Sequence, residues 1–227
     1  FFLVIAACEK KETSSHSKPT GDEIIALRDD KKRAAVAHLN ETKMQVELRR
    51  RDELSWSNAT VGAELFNRDS LRTGPLSYGK VVFLDQSILD VEENSTVTIL
   101  EYEKDAKMTK SVIQLPGGKI SGDLGGQIQE SVEMTIRTKL GWIKVSNVNK
   151  EGQKVGTKFK TMVKESGETQ LAVSEGEVVY LTKGKERPIS SGQNITVQSS
   201  RPSSEGMDEL PTIDDSEVKF QGPPEAT

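Results

Sequence analysis

The sequence has a single cysteine among its 227 residues, few aromatic residues and no excess of positive charge. One thiol cannot close a disulfide within the chain, so a small disulfide-framed domain is excluded. A formal net charge of -4 argues against a broad basic surface for nucleic acid. No apolar run reaches the roughly 18 residues of a bilayer-spanning helix, so the sequence predicts no transmembrane helix. The length allows one domain of up to about 200 residues with tails.

The one cysteine follows seven apolar residues and precedes a charged stretch: Phe1-Phe2-Leu3-Val4-Ile5-Ala6-Ala7-Cys8-Glu9-Lys10. This order, without an initiator methionine, is typical of the end of a secretory signal. A buried strand carrying a core cysteine is the alternative. The polar composition of residues 9–21 disfavours it, because such a segment forms a solvated linker.

Ile5-Ala6-Ala7-Cys8 resembles the lipobox of bacterial lipoproteins, in which an aliphatic residue and two small residues precede the modified thiol. The resemblance implies that residues 1–7 are the remnant of a signal peptide and are removed. Cys8 then becomes an acylated amino terminus, carrying fatty acids such as palmitate, at the head of a flexible spacer over residues 8–21. Two or three acyl chains make such an anchor stable. We therefore expect attachment to a membrane of the bacterial cell envelope, on the outer membrane or a periplasmic face.

Residues 22–41 are predicted to form a helix, with Asp22 as its cap and apolar residues such as Ile24, Leu27 and Leu39 on one face. His38 lies on this predicted helix and His16 in the spacer. Neither has partners at metal-ligand spacing, so the sequence predicts no metal site and no cofactor.

Residues 44–198 change to short alternating runs, for example Val132, Met134 and Ile136, separated by turn signals such as Pro116-Gly117-Gly118. A period of two predicts half-buried strands. The fold is therefore predicted to be mainly β: an antiparallel sandwich, a roll or a short β-solenoid, preceded by one helix. Residues 199–227 are acidic and rich in Pro and Ser, which predicts a disordered tail or linker.

Several short phrases within residues 56–198 match one known module. They include Trp56, Val61-Gly62, Asp69, Leu71-Arg72-Thr73-Gly74, Asp85-Gln86-Ser87, Gly156-Thr157-Lys158-Phe159, Val173-Ser174-Glu175-Gly176 and Ser191-Gly192-Gln193. In these phrases the chain resembles the FecR domain, an all-β module of bacterial envelope proteins. Gln86 and Val155 depart from the family pattern, which usually has glycine and arginine there.

The residues that carry this resemblance are predicted to stabilise the fold and to take no part in catalysis. The glycines at 62, 74, 156, 176 and 192 suit turns or close strand approach. Arg72 is predicted to form a charge pair with Asp69. Trp56 and Trp142 are predicted to cover the core or a sheet edge, and the lining of a sugar or peptide groove is the alternative.

The function predicted from these observations is that of a non-enzymatic, lipid-anchored envelope protein. Its FecR-like domain binds a protein or an envelope polymer in sensing, signalling or scaffolding, with exposed edge strands as a route for the partner. The resemblance implies sigma-factor signalling for members with a membrane helix and an anti-sigma segment, and this sequence displays neither. Two alternatives stay open: an envelope enzyme, similar to a glycan hydrolase, that uses the β domain as substrate platform, or an adaptor for a peptidoglycan-binding domain beyond Thr227.

Overall fold

A computed structural model of the chain describes residues 33–125, 129–149, 151–182, 184–199 and 220–221. The chain divides into two compact units, Phe1–Ala34 and Ala35–Thr227, and all the described strands belong to the second. Cys8, the predicted spacer and residues 22–32 of the predicted helix lie outside the described residues. No helix within the described ranges is able to span a lipid bilayer.

The second unit consists of β-strands, and the described ranges contain no helix. The prediction of a mainly β fold is therefore confirmed. In chain order the strands are β1 Ala37–Lys43, β2 Val46–Arg49, β3 Ser57–Asn58, β4 Glu64–Leu65, β5 Ser70–Thr73, β6 Tyr78–Phe83, β7 Ile88–Val91, β8 Thr96–Lys104, β9 Met108–Leu124, β10 Ser131–Arg137, β11 Trp142–Ser146, β12 Thr157–Val163, β13 Thr169–Glu175, β14 Glu177–Thr182, β15 Lys185–Ser190, β16 Asn194–Val197 and β17 Phe220–Gln221.

The strands form two layers that share β9. Sheet A has the order β4-β1-β6-β7-β9-β12-β13-β16-β17. Sheet B has the order β3-β2-β5-β8-β9-β10-β11-β14-β15. The pairing of β9 with β10 is parallel and the other strand pairings are antiparallel.

Strand β9 changes sheets near its middle. Its residues up to Gly117 pair with β8 of sheet B, and its residues from Gly118 onward pair with β12 of sheet A. Gly118 has a φ of 107°, which an L side chain rarely adopts. The predicted turn at Pro116-Gly117-Gly118 is therefore wrong: these residues lie within a strand, and the glycines let it pass from one layer to the other.

The core lies between the inner faces of the two sheets. Phe83 of sheet A stacks on Tyr102 of sheet B with ring centroids 5.9 Å apart. At Gly79 of sheet A, an added Cβ would lie 3.5 Å from side-chain atoms of Val46 and Leu71 in sheet B. The layers thus pack in direct contact, and each fully buried aliphatic side chain there contributes about 1.5–3 kcal/mol.

The predicted helix over residues 22–41 is wrong at its end. Residues 37–41 lie in β1, which pairs with β6 and places His38 on a strand. Ala37 and Leu39 are buried while His38 between them is half-buried, which is a period of two. Pairing along β6 gives these backbone groups hydrogen-bond partners and buries Leu39, and this outweighs the helix propensity of the alanines.

Candidate functional site

The first family phrase is organised by the buried carboxylate of Asp69, at the turn before β5. Its Oδ2 accepts a hydrogen bond from Arg50 at 2.7 Å and another from the backbone N–H of Phe66 at 3.1 Å. Its Oδ1 accepts from the backbone N–H of Arg51 at 3.2 Å. The predicted pair between Asp69 and Arg72 is wrong, because Arg72 lies on the outer face of sheet B and forms its ion pair there with Glu47.

Trp56 covers part of this outer face. The guanidinium groups of Arg49 and Arg72 both lie over its ring, with Cζ atoms 4.7 and 4.4 Å from the ring centroid. Arg72 also donates to Glu47 at 2.6 Å, and this hydrogen bond holds the pKa of Glu47 below its ordinary value. Trp56 is thus a half-buried cover of the sheet, held by two cations.

The next family residues, Thr73 and Gly74, join β5 to the neighbouring turns. The Thr73 hydroxyl donates to the carbonyl of Glu92 and accepts from the N–H of Ser95. An added Cβ at Gly74 would lie 2.9 Å from the amide oxygen of Gln45, so that side chain would have to shift. These contacts fix the end of the layers at which β1, β5 and β7 turn.

The second half of the family pattern is also structural. Thr157 is buried and donates to the carbonyl of Ser146 at 2.8 Å. The ring of Phe159 packs over Gly122 of β9, where a Cβ would overlap it. Gly156 lies against the hairpin turn at Gly176, whose φ is 79°.

The remaining family residues lie at turns or on the surface. Gly62 and Gly192 have φ values of 86° and 81°, with open space around them. Glu175 is exposed and forms an ion pair with Lys158 at 3.1 Å. Gln86, where the family has glycine, has a φ of 70°. This backbone conformation explains the family's glycine and makes Gln86 a strained residue.

The largest exposed aromatic surface among the described residues is at Trp142, at the start of β11. Its side chain is 47% exposed, and the Arg137 guanidinium lies 5.7 Å from its ring centroid. Trp142 faces Arg137 on β10 and Leu181 on β14 across the outer face of sheet B. An indole so exposed, between a cation and an aliphatic side chain, matches the groove interpretation of Trp142 better than core cover.

Trp142 lies in a groove of about 730 Å³. Its floor includes the outward side chains of β10, β11 and β14, and its rim includes Leu140 and residues at the end of β16. Four basic and two acidic side chains line it: Arg137, Lys139, Lys144, Lys185, Glu133 and Glu186. Lys144 is paired with Glu133 at 2.9 Å. The groove thus combines an apolar centre with an excess of positive charge.

The edge of sheet B lies beside this groove. Strand β15 pairs with β14 on one side, and the described residues place no strand on its other side. The backbone N–H of Ser191 donates to the Gly176 carbonyl at 2.9 Å. In an antiparallel ladder alternate residues bond to the neighbouring strand, so Ile189 faces β14 and the backbone of Pro188 faces the open edge. Proline has no N–H to offer an added strand. A partner is therefore better accommodated by the groove than by strand addition at this edge.

Comparison with known proteins bears on this domain. Residues 69–179 match a protein-family model described as FecR protein. No curated protein matches the chain. Two crystal structures of a candidate anti-sigma factor from Parabacteroides distasonis are similar to it, with 12% sequence identity and a TM-score of 0.47. The match covers 67% of this chain and 59% of that chain, so this chain spans less than two thirds of the structure it matches.

Proposed function

Because this chain is a FecR-domain protein, we propose that it acts in signalling or sensing as a non-enzymatic binding protein. Its partner is an acidic segment of another protein, carrying an apolar or aromatic side chain, and it binds in the Trp142 groove. Cys8 carries the lipid that attaches the protein to a membrane of the bacterial cell envelope. The residues of the family pattern support a role without catalysis, because those described above take part in turns, core contacts or ion pairs.

The single observation that carries the binding proposal is the exposure of Trp142. An indole that is 47% exposed leaves apolar area in water that a partner side chain can cover. Tryptophan and arginine are the residue types that most often dominate the binding energy of protein interfaces. Arg137 stands over the ring, so both types are present at one point of the groove.

The charge of the groove selects the partner class. Lys139 and Lys185 line it in addition to the paired Lys144, and both Arg137 and Lys139 lie close to Trp142 in sequence. Complementary charge raises the association rate and excludes segments of the wrong sign. We therefore expect an acidic partner, with an affinity that falls as salt is added.

The experiment compares two tryptophan variants of the full chain. A photo-crosslinking side chain in place of Leu181 is expected to form an adduct in intact envelopes when the other groove residues are unchanged, and W142A is expected to lose it. W56A is the matched control, because Trp56 covers the other half of the same sheet face. A K185E variant is expected to weaken the adduct, and the adduct's protein is expected to bind through an acidic segment. If a folded W142A protein formed the adduct in the same yield as the wild type, the proposal would be wrong.

The lipid anchor has its own test. Growth with a fatty-acid analogue is expected to label the wild-type protein and to leave the C8S variant unlabelled. Since the analogue reports acylation alone, the result is independent of the groove. Equal labelling of both proteins would contradict the anchor at Cys8.

A further inference from the structure

A second concavity lies at the opposite side of the fold from the family's Thr73 turn, next to the turn that joins β6 to β7. It has a volume of about 670 Å³ and shares no lining residue with the Trp142 groove. Four carboxylates line it, on Asp85, Asp123, Glu130 and Glu175, together with the ammonium group of Lys158. We call this concavity the acidic pocket.

Asp85 is a buried carboxylate with an unmet hydrogen-bonding atom. The residue is only 4% exposed, and its Oδ1 accepts a hydrogen bond from the backbone N–H of Ser87 at 2.8 Å. Its Oδ2 is buried and has no hydrogen-bond partner in the described part of the chain. Burial raises the pKa of Asp85, and the polar groups of Ser87 oppose that shift. A carboxylate oxygen left in this state is costly, so something that donates a hydrogen bond belongs next to it.

Two hydroxyl groups close to Asp85, and a third on the strand beside one of them, are in a similar condition. The hydroxyls of Ser87, Tyr102 and Ser111 are buried without a partner in hydrogen-bond geometry among the described residues. Tyr102 and Ser111 are cross-strand neighbours on β8 and β9. Burial raises the pKa of Tyr102, and the nearby negative charge of Asp85 raises it further. Asp85, Ser87 and Tyr102 therefore bring unmet oxygens to one region of the core.

The charges around this region favour a cation. Lys104 donates to Glu130 at 2.6 Å, and Lys158 lies 3.1 Å from Glu175 and 3.9 Å from Asp123. Lys154 donates to the carbonyl of Gln129 and its charge also acts on Glu130, so three lysines serve three carboxylates. The ion pairs of the described residues include none to Asp85, which leaves its negative charge in excess. Within the described ranges no three His, Cys, Asp or Glu side chains are arranged to hold a metal ion. A group with several N–H donors and a positive charge fits better.

We propose that the acidic pocket binds a small organic cation, an ammonium or guanidinium group, whose N–H groups donate to Asp85 and to the neighbouring hydroxyls. The same chemistry is offered by a lysine or arginine side chain of a partner and by a free polyamine. Leu84 and Gln86 flank Asp85 on the pocket wall, and their side chains shift to admit the donor. Leu84 is 54% exposed, so its movement disturbs little packing.

The test uses the full chain and ethylammonium or methylguanidinium as the probe, with amide NMR shifts at residues 84–88 and 123–125 as the readout. Both cations are expected to shift these amides. D85N, which keeps the Oδ1 acceptor of the turn, is expected to weaken binding by at least about tenfold, because a charged hydrogen bond is lost. E93Q is the matched control, since Glu93 is a carboxylate on the turn at the other end of the layers. It is expected to bind like the wild type.

Neutral methylurea separates a cation site from a polar cavity. If methylurea shifts the same amides as strongly as methylguanidinium, or if D85N binds as well as the wild type, the proposal is wrong. Calcium that displaced the probe at lower concentration would also overturn it. Tighter binding of a lysine or arginine peptide than of spermidine identifies a partner side chain as the source, and the reverse order identifies a free polyamine. If D85N fails to fold, Y102F, which keeps the ring stack on Phe83, is expected to weaken binding severalfold.

This inference is independent of the proposed partner groove. The two sites share no lining residue, and small cations report on the acidic pocket without any partner protein. Loss of the photo-crosslink in W142A with intact cation binding, or the converse, therefore identifies which of the two proposals fails.

Discussion

Arg50 and Asp69, 19 residues apart in the sequence, meet at 2.7 Å where the Asp69 side chain is fully buried and that of Arg50 is one-quarter exposed. Arg50 also donates to the carbonyl of Glu64 and lies over the ring of Phe66. The pair thus ties the end of β2 to the turn before β5. A residue of the family pattern serves here as the junction of three segments.

Removal of the Asp69 carboxylate is expected to be the most damaging polar change in the domain. D69A leaves the Arg50 cation and the N–H of Phe66 without their acceptor, and breaking a buried pair by removing one partner costs about 3 kcal/mol or more. Urea unfolding followed by circular dichroism measures this loss. E47Q, which breaks the more exposed pair with Arg72, is the control and is expected to lose far less stability. Equal losses in the two variants would contradict the assignment.

A methyl group at Gly122 is expected to disturb the contact between β9 and β12. G122A places a Cβ in the ring of Phe159, and overpacking of this kind costs about 1–3 kcal/mol. G117A, on the same strand, meets only a carbonyl oxygen at 3.9 Å and is expected to be near neutral. Thermal unfolding of the two variants checks the difference. A G122A protein as stable as G117A would show that Phe159 has room to move.

Replacement of Gln86 by glycine is expected to raise the free energy of unfolding of the domain. A non-glycine residue held at a φ of 70° costs the folded state about 1–2 kcal/mol, and Q86G removes this cost. The gain is partly offset because glycine loses more backbone entropy on folding. A net gain of about 1 kcal/mol is the expected result in urea unfolding. N94G is the control, because asparagine already tolerates its φ of 52° and the gain there is expected to be smaller. A loss of stability in Q86G would mean that the side chain makes a compensating contact.

The raised pKa of Asp85 predicts a pH-dependent difference between D85N and the wild type. The folded protein holds this proton more tightly than the unfolded chain, so the contribution of Asp85 to stability falls as the pH rises from the ordinary aspartate value to its raised value. D85N lacks this loss. The difference in unfolding free energy is expected to move in favour of D85N over that window and to stay constant above it. Urea unfolding of both proteins between about pH 4 and pH 8 measures it. A difference that does not vary with pH would contradict the buried charge.

The local patterns of the sequence predict the strands but not the partners of their charged residues. Val132, Met134 and Ile136 alternate in the sequence, and all three are fully buried in β10. By contrast, Arg72 and Asp69 are near neighbours in the sequence, yet each pairs with a residue on a distant segment. Register and layer decide such pairs, and neither is readable from spacing alone.

The candidate site was only partly predictable for a similar reason. Trp142 stands out in the sequence as one of two tryptophans, but its exposure depends on Arg137 and Leu181 from neighbouring strands. The phrase Asp85-Gln86-Ser87 predicts a turn, and the turn is present. That its carboxylate is buried beside Tyr102 follows from the packing of one sheet on the other, which the phrase does not contain.

The shared strand β9 has a consequence for the order in which the chain folds. Its two halves pair with β7 and β8, which precede it, and with β10 and β12, which follow it. As the chain leaves the ribosome or a translocation channel, neither layer can close before residue 124 has emerged. Until then the apolar faces of β6 and β8 stay open to misassociation. Both layers stay incomplete after that point as well, because β9 still lacks its partners β10 and β12 until residue 163 has emerged, so a chaperone is needed across the middle of the domain.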